Sequence, residues 1–183
     1  MDEIIQEVLY YTGLKVNDQI IKIREIELYY YSETHKDSYV HRIDDQLNHK
    51  SFYFHKFKNG SYKNGTYRGM DLTFGNRDAN IYFGVLIRSI ELPDGTFIEG
   101  PCRSVNAMVS IAKLNDSGSS SEILRLSQCI STCTIYEDQD DIYCAPRIGL
   151  SDKYPEFREL KYRYATNIRK IKKERAKFAL ADL

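Results

Sequence analysis

Apolar residues recur at helical spacing at Ile4, Ile5, Val8, Leu9 and then Tyr11 or Thr12, behind the acids Asp2, Glu3 and Glu7, and Gly13 follows as a stop. The pattern predicts an amphipathic helix over residues 2–12. Residues 15–16 and 20–31 read as strands separated by the turn Asn17-Asp18. In the second, alternation puts Glu25 and Glu27 on one face and Ile26 and Leu28 on the other. Two carboxylates side by side on a buried strand are the first candidate chemistry.

Residues 81–92 (IYFGVLIRSIEL) are nearly continuously apolar and predict a central strand, with Arg88 as the informative interruption. A guanidinium there needs an acidic partner in the core or a place at a pocket edge. Gly100-Pro101 opens a predicted helix over 102–113, and 122–128 predicts a short one after the Ser/Gly-rich loop 115–121. Strands are expected at 131–136 and 142–144, joined by the acidic turn 137–141, and a last strand at 160–164. The tail 168–183, with Arg169, Lys170, Lys172, Lys173, Arg175 and Lys177, reads as a basic helix, either a nucleic-acid contact or an exposed cap.

A chain of 183 residues, 42% of them hydrophobic, can bury a full core as a single domain without disulfides or metals. Formal net charge is zero, so any nucleic-acid site has to be a local patch. Such a patch exists. Between Asp45 and Asp71 there is no acid, while Lys50, Lys56, Lys58, Lys63 and Arg68 alternate with Phe52, Tyr53, Phe54, Phe57, Tyr62 and Tyr67 around the turns Asn59-Gly60 and Asn64-Gly65. Cations that offset phosphate charge beside rings that replace base stacking suit a nucleic-acid strand; the competing reading is a half-buried strand pair with solvated lysines.

The four cysteines lack paired spacing, no segment reaches the roughly 18 apolar residues of a membrane span, and the start has no signal-peptide pattern. These point to a reduced, intracellular protein, cytoplasmic or nuclear, with no membrane partner. His35, His41, Asp37, Asp44 and Asp45 in the polar stretch 32–48 match no compact ligand pattern, so neither a metal nor a cofactor is expected.

Several of these stretches resemble the alkyladenine (3-methyladenine, methylpurine) DNA glycosylase family. Glu25-Ile-Glu27-Leu-Tyr29 is similar to its E-T-E-A-Y strand, and Gly84-Val-Leu-Ile-Arg88-Ser-Ile-Glu91 to its V-L-L-R-A-L-E-P strand. Gly100-Pro101 with residues 105–111 resembles its N-G-P-S-K-L-C helix. Pro146-Arg147-Ile-Gly149 with residues 160–166 resembles its A-R-[IV]-G segment and final strand. The resemblance spans most of residues 3–167.

It implies an α+β single domain over residues 1–167, a curved, mostly antiparallel sheet flanked by helices with a protruding basic hairpin, followed by the basic helix 168–183. It also implies a monomer that flips an altered base out of duplex DNA and hydrolyses its N-glycosidic bond. Glu27 inherits the water-activating role, a role a carboxylate suits because positive charge develops on the sugar. Tyr29 matches the stacking tyrosine, Arg88 the active-site arginine and, with a three-residue insertion in the polar loop, His41 the pocket histidine. Gly75, with Asn76 adjacent, falls where the family has its discriminating asparagine. The family's wedge tyrosine lies in Y-G-M, and here Arg68-Gly69-Met70 takes that place, so Arg68 or Tyr67 is the expected wedge, with Lys58 and Lys63 on the backbone. No lysine occupies the matching strand, which disfavours a Schiff-base lyase. The alternative is a catalytically inactive nucleic-acid-binding protein on the same fold, in which Glu27 only pairs with Arg88; a domain with no nucleic-acid role is the third reading.

Overall fold

The computed structural model describes residues 1–112, 120–136 and 140–183. Most of the loop expected at 115–121 and part of the acidic turn 137–141 lie outside the described residues. The strands in chain order are β1 Thr12–Val16, β2 Gln19–Ser32, β3 His35–Lys36, β4 His49–Phe54, β5 Met70–Phe74, β6 Tyr82–Glu91, β7 Phe97–Glu99, β8 Ile130–Thr134, β9 Tyr143–Ala145, β10 Arg163–Ala165 and β11 Ala179–Leu180. The α-helices are α1 Asp2–Gln6, continued by a π-turn over Glu7–Tyr11, then α2 Pro101–Ile111, α3 Ser120–Cys129 and α4 Pro155–Arg158.

This is a single-domain α+β architecture. One open sheet runs β11-β9-β10-β2-β6-β5-β4, all neighbours antiparallel, with β1 and β8 added alongside the first half of β2. One face is apolar: Ile23, Ile26 and Leu28 of β2 pack with Val85, Ile87 and Ile90 of β6 and with Ile5, Val105, Met108 and Leu126 from the helices.

The two central strands carry a phase shift that decides where the polar groups point. In β2 the core positions change from odd (Ile21, Ile23) to even (Ile26, Leu28), and in β6 Ile87 and Ile90 are both in the core although three apart. A strict period of two cannot do this. A β-bulge between Ile23 and Ile26, opposite residues 87–90, supplies the extra residue in each strand. Arg88 and Ser89 thereby both meet Glu25 on the face away from the core.

The predicted basic helix at 168–183 is not formed. Instead the tail has single helical turns at Ile168–Lys170 and Arg175–Lys177, separated by Glu174 in the left-handed region (φ 52°), then β11 on the sheet edge. The backbone N–H groups of Lys172 and Lys173 donate to the Glu99 carboxylate, and the Lys173 carbonyl accepts from Arg163. These tertiary partners override helix propensity. The segment covers a buried arginine.

Candidate functional site

A row of side chains crosses the polar face at one level, because the residues are direct register partners: Asp71 of β5, Leu86 of β6, Glu27 of β2 and Arg163 of β10. The next row is Thr73, Gly84 and Tyr29. Gly84 has no side chain, and a Cβ there would come within 2.4 Å of Asp71 Oδ2. The missing side chain makes room for Asp71 Oδ2 and Gln46 Nε2 to pack against the strand.

Glu25 and Glu27 are both 0% exposed. Around Glu25, Arg88 Nε (3.2 Å) and Arg163 Nε (2.6 Å) both reach Oε1, and the Ser89 hydroxyl donates to Oε2. Glu27 Oε1 accepts the Ile148 N–H at 2.8 Å and pairs with Arg88 Nη1 at 3.2 Å; its Oε2 accepts the Tyr29 hydroxyl at 3.0 Å. Burial pushes the Glu27 carboxyl above its ordinary pKa, against the opposing pull of Arg88, the Ile148 amide and Tyr29. Burial and the neighbouring Glu27 likewise hold the Tyr29 phenol well above its usual range, so it stays a proton donor. Arg88 is held charged: burial alone would lower its pKa, but the two carboxylates outweigh that.

Tyr29, Tyr39, His41, Gln46, His55 and Asp71 enclose a cavity of about 30 Å³. His41 also lines an open groove of about 470 Å³, with Ile43, Tyr53, Lys56, Phe57 and Lys58 among its walls. Such a volume lies in the range of small-molecule sites, roughly 300–1,000 Å³, whereas the cavity admits only a water-sized group. His41 Nδ1 meets the Tyr53 hydroxyl at 2.9 Å, and its ring packs edge-on against Tyr53 and His55. Burial, and after it the neighbouring His55, lowers its pKa to about 4, so at neutral pH the imidazole is uncharged although part of the residue reaches solvent. Arg147 is buried against Asp37 (2.7 Å), with its guanidinium 4.7 Å from the centre of the Tyr29 ring.

Of the residues singled out in the sequence, Glu27, Tyr29 and Arg88 are in direct contact, and His41 joins Tyr29 at the cavity wall. Gly75 and Asn76 are not at this site. A Cβ on Gly75 would lie 2.0 Å from the Gln46 carbonyl, so the glycine lets the 46–48 backbone pack close, and Asn76 pairs with Ile81 and caps the Ala79 N–H in the β5–β6 turn.

Arg68, Gly69 and Met70 are each engaged within the protein. Arg68 donates to Glu122 Oε2 and Asn106 Oδ1, both at 2.8 Å, and its side chain is only 9% exposed. Gly69 lies under the His55 ring, where a Cβ would be 2.6 Å from Nδ1, and Met70 is fully buried in the core. Tyr67, 69% exposed, is the residue of this stretch that projects into solvent. Lys58 is exposed on the groove wall and Lys63 is half-buried, its N–H bonded to the His55 carbonyl. The aromatic run divides in the same way: Tyr53 and Phe54 are buried, while Phe57 is 41% exposed on the groove.

The sequence reading missed Asp71, His55 and Gln46. Asp71 Oδ1 meets His55 Nε2 at 2.8 Å, and Asp71 is 1% exposed. The available signal was an acid between Met70 and Leu72 in an apolar strand. Among the described residues no group of three His, Cys, Asp or Glu side chains is placed to hold a metal ion. Nor is any described helix long and apolar enough to cross a membrane.

No protein-family model matches this sequence. It is 39% identical over 180 residues to a protein of Acanthamoeba polyphaga mimivirus named "Uncharacterized protein L759", an alignment covering 88% of this chain and 83% of that protein. This chain belongs to the same family as that mimivirus protein.

Proposed function

We propose that the protein is a monofunctional DNA glycosylase with a methylpurine-glycosylase-like fold, hydrolysing the N-glycosidic bond of an altered, flipped-out nucleotide. One observation carries the reading: three stretches far apart in sequence meet at one carboxylate. Tyr29 comes from the same strand as Glu27, Arg88 from β6, and Ile148 from the Pro146–Gly149 segment. A further stretch, the start of α2, backs Arg88, whose carbonyl accepts the Gly100 N–H at 2.7 Å and the Ser104 hydroxyl at 3.3 Å.

In the reaction, Glu27 takes a proton from water as the water oxygen bonds to C1′. The C–N bond breaks with its electron pair going to the base. The negative carboxylate faces the positive charge that develops on the sugar, and its raised pKa makes it a stronger base than a solvated glutamate. For water to reach Oε2, the Tyr29 hydroxyl has to release it. The groove beside His41 receives the base, Phe57 and Lys58 stand at its wall, and Tyr67 is the candidate wedge that fills the vacated stack.

A second reading has an observation of its own. Glu27 is fully buried with both oxygens engaged, which suits a structural acid in a protein that binds nucleic acid without cutting it. Duplexes carrying hypoxanthine, ethenoadenine or alkylated purines, incubated with the protein and then treated with alkali, separate the two. Strand breaks with wild type support the glycosylase. Salt-sensitive binding with no break at any lesion supports the binding protein.

A further inference from the structure

Gln46 is 1% exposed and lines the cavity, yet its Oε1 has no hydrogen-bond partner. Its orientation is dictated by charge: Nε2 points at Asp71 Oδ2 (3.5 Å), and the reverse orientation would set two oxygens against each other. Asp71 Oδ1 is taken by His55. Oδ2 has only that long contact, and the missing Gly84 side chain is what makes room for Oδ2 and Gln46 Nε2. Two residues lining this space of about 30 Å³ thus carry acceptors short of donors, Gln46 Oε1 and Asp71 Oδ2. A buried acceptor left without a donor is costly, so something with N–H or O–H groups belongs there.

We propose that this cavity is a specificity subsite for an exocyclic amino group on a nucleobase seated in the adjoining groove. An –NH₂ group is about the size of the water the cavity admits, and its two N–H bonds match the two acceptors. A keto oxygen at the same place would face two acceptors with nothing to donate, and a bare C–H would leave both unsatisfied. The subsite therefore selects amino-bearing bases over keto or unsubstituted ones. Glu27, one strand beyond Leu86, stands about 10 Å from Asp71 by two inter-strand spacings, on the side where the sugar would lie. This inference rests on the proposed nucleic-acid site, but base selection is separable from bond cleavage.

The test measures binding of duplexes that cannot be cut, carrying 2′-fluoroarabino adenine, hypoxanthine or unsubstituted purine opposite an abasic spacer, so that pairing strength does not differ among them. Wild type is expected to bind the adenine duplex about 10- to 100-fold more tightly than the other two, and Gln46→Leu to bring all three within about 3-fold. Equal binding of the three by wild type overturns the inference, as does preference for the keto base. An unchanged preference in a folded Gln46→Leu protein does so too. If Gln46→Leu does not fold, the wild-type ratios decide alone. Amino-selective binding without base release in the lesion assay leaves this subsite standing and removes the glycosylase reading; release without amino preference does the reverse. No binding of any duplex at low salt removes both.

Discussion

Glu25 and Glu27 lie two residues apart on one strand, on one face, equally buried, and both touch Arg88. Their surroundings differ in kind. Glu25 is closed in by two guanidiniums and a serine hydroxyl, and the tail with Phe178 covers Arg163, whose guanidinium lies 4.4 Å from the centre of that ring. Glu27 shares one guanidinium, and its remaining bonds come from a backbone amide and from a tyrosine that lines a cavity. One carboxylate is the anchor of a sealed ion cluster. The other sits beside the tyrosine that lines the cavity, and burial raises its pKa against the pull of Arg88, the Ile148 amide and Tyr29. The same contrast recurs in the hairpin, where Arg68 is locked to Glu122 and the adjacent Tyr67 stands free.

The largest expected effect is on stability. Glu25→Gln leaves Arg163, itself 0% exposed, without a counter-charge and should cost about 3–5 kcal/mol by denaturant unfolding. A loss below about 1 kcal/mol would erase the distinction between the two acids. Next come the hairpin neighbours. Tyr67→Ala should weaken binding to lesion duplexes about 10-fold or more with little change in unfolding midpoint. Arg68→Ala should cost about 1–3 kcal/mol of stability by leaving Glu122 unpaired. Measuring both quantities on both variants shows whether the roles are separate or exchanged.

The smallest effect is a pH linkage at Glu27. Its pKa is raised in the folded state, so its contribution to stability is complete below the unfolded carboxyl value of about 4.3 and is lost as pH rises through the folded value. Glu27→Gln removes that loss. The variant's melting temperature relative to wild type should therefore climb between pH 4 and pH 7. A flat difference across that range would mean that Arg88 fully compensates the buried charge.

Much of this was readable in the residues. The apolar run 81–92 specified β6, Gly100-Pro101 opened α2, and the spacing of Glu25 and Glu27 placed both on the polar face. What escaped the sequence depended on partners distant along the chain. Arg68 looked like a free wedge because Glu122, 54 residues later, is invisible to local pattern. The tail read as a helix because nothing nearby announces that Glu99 will take the amides of Lys172 and Lys173. The bulge was present as a switch of apolar residues from odd to even positions between Ile23 and Ile26. Asp71 escaped because a single acid in a strand gives no periodic signal. Its meaning comes from Gly84 on the neighbouring strand and from His55, which Gly69 allows to pack close.

The central claim is that Glu27, and not Glu25, does chemistry, and single-turnover base release by wild type and Glu27→Gln across a panel of damaged duplexes tests it most directly. Wild type should release at least one lesion, and Glu27→Gln should do so about 10²- to 10⁴-fold more slowly, with folding and duplex binding retained. Release by Glu27→Gln at the wild-type rate, or no release by wild type from any lesion that it binds, would contradict it.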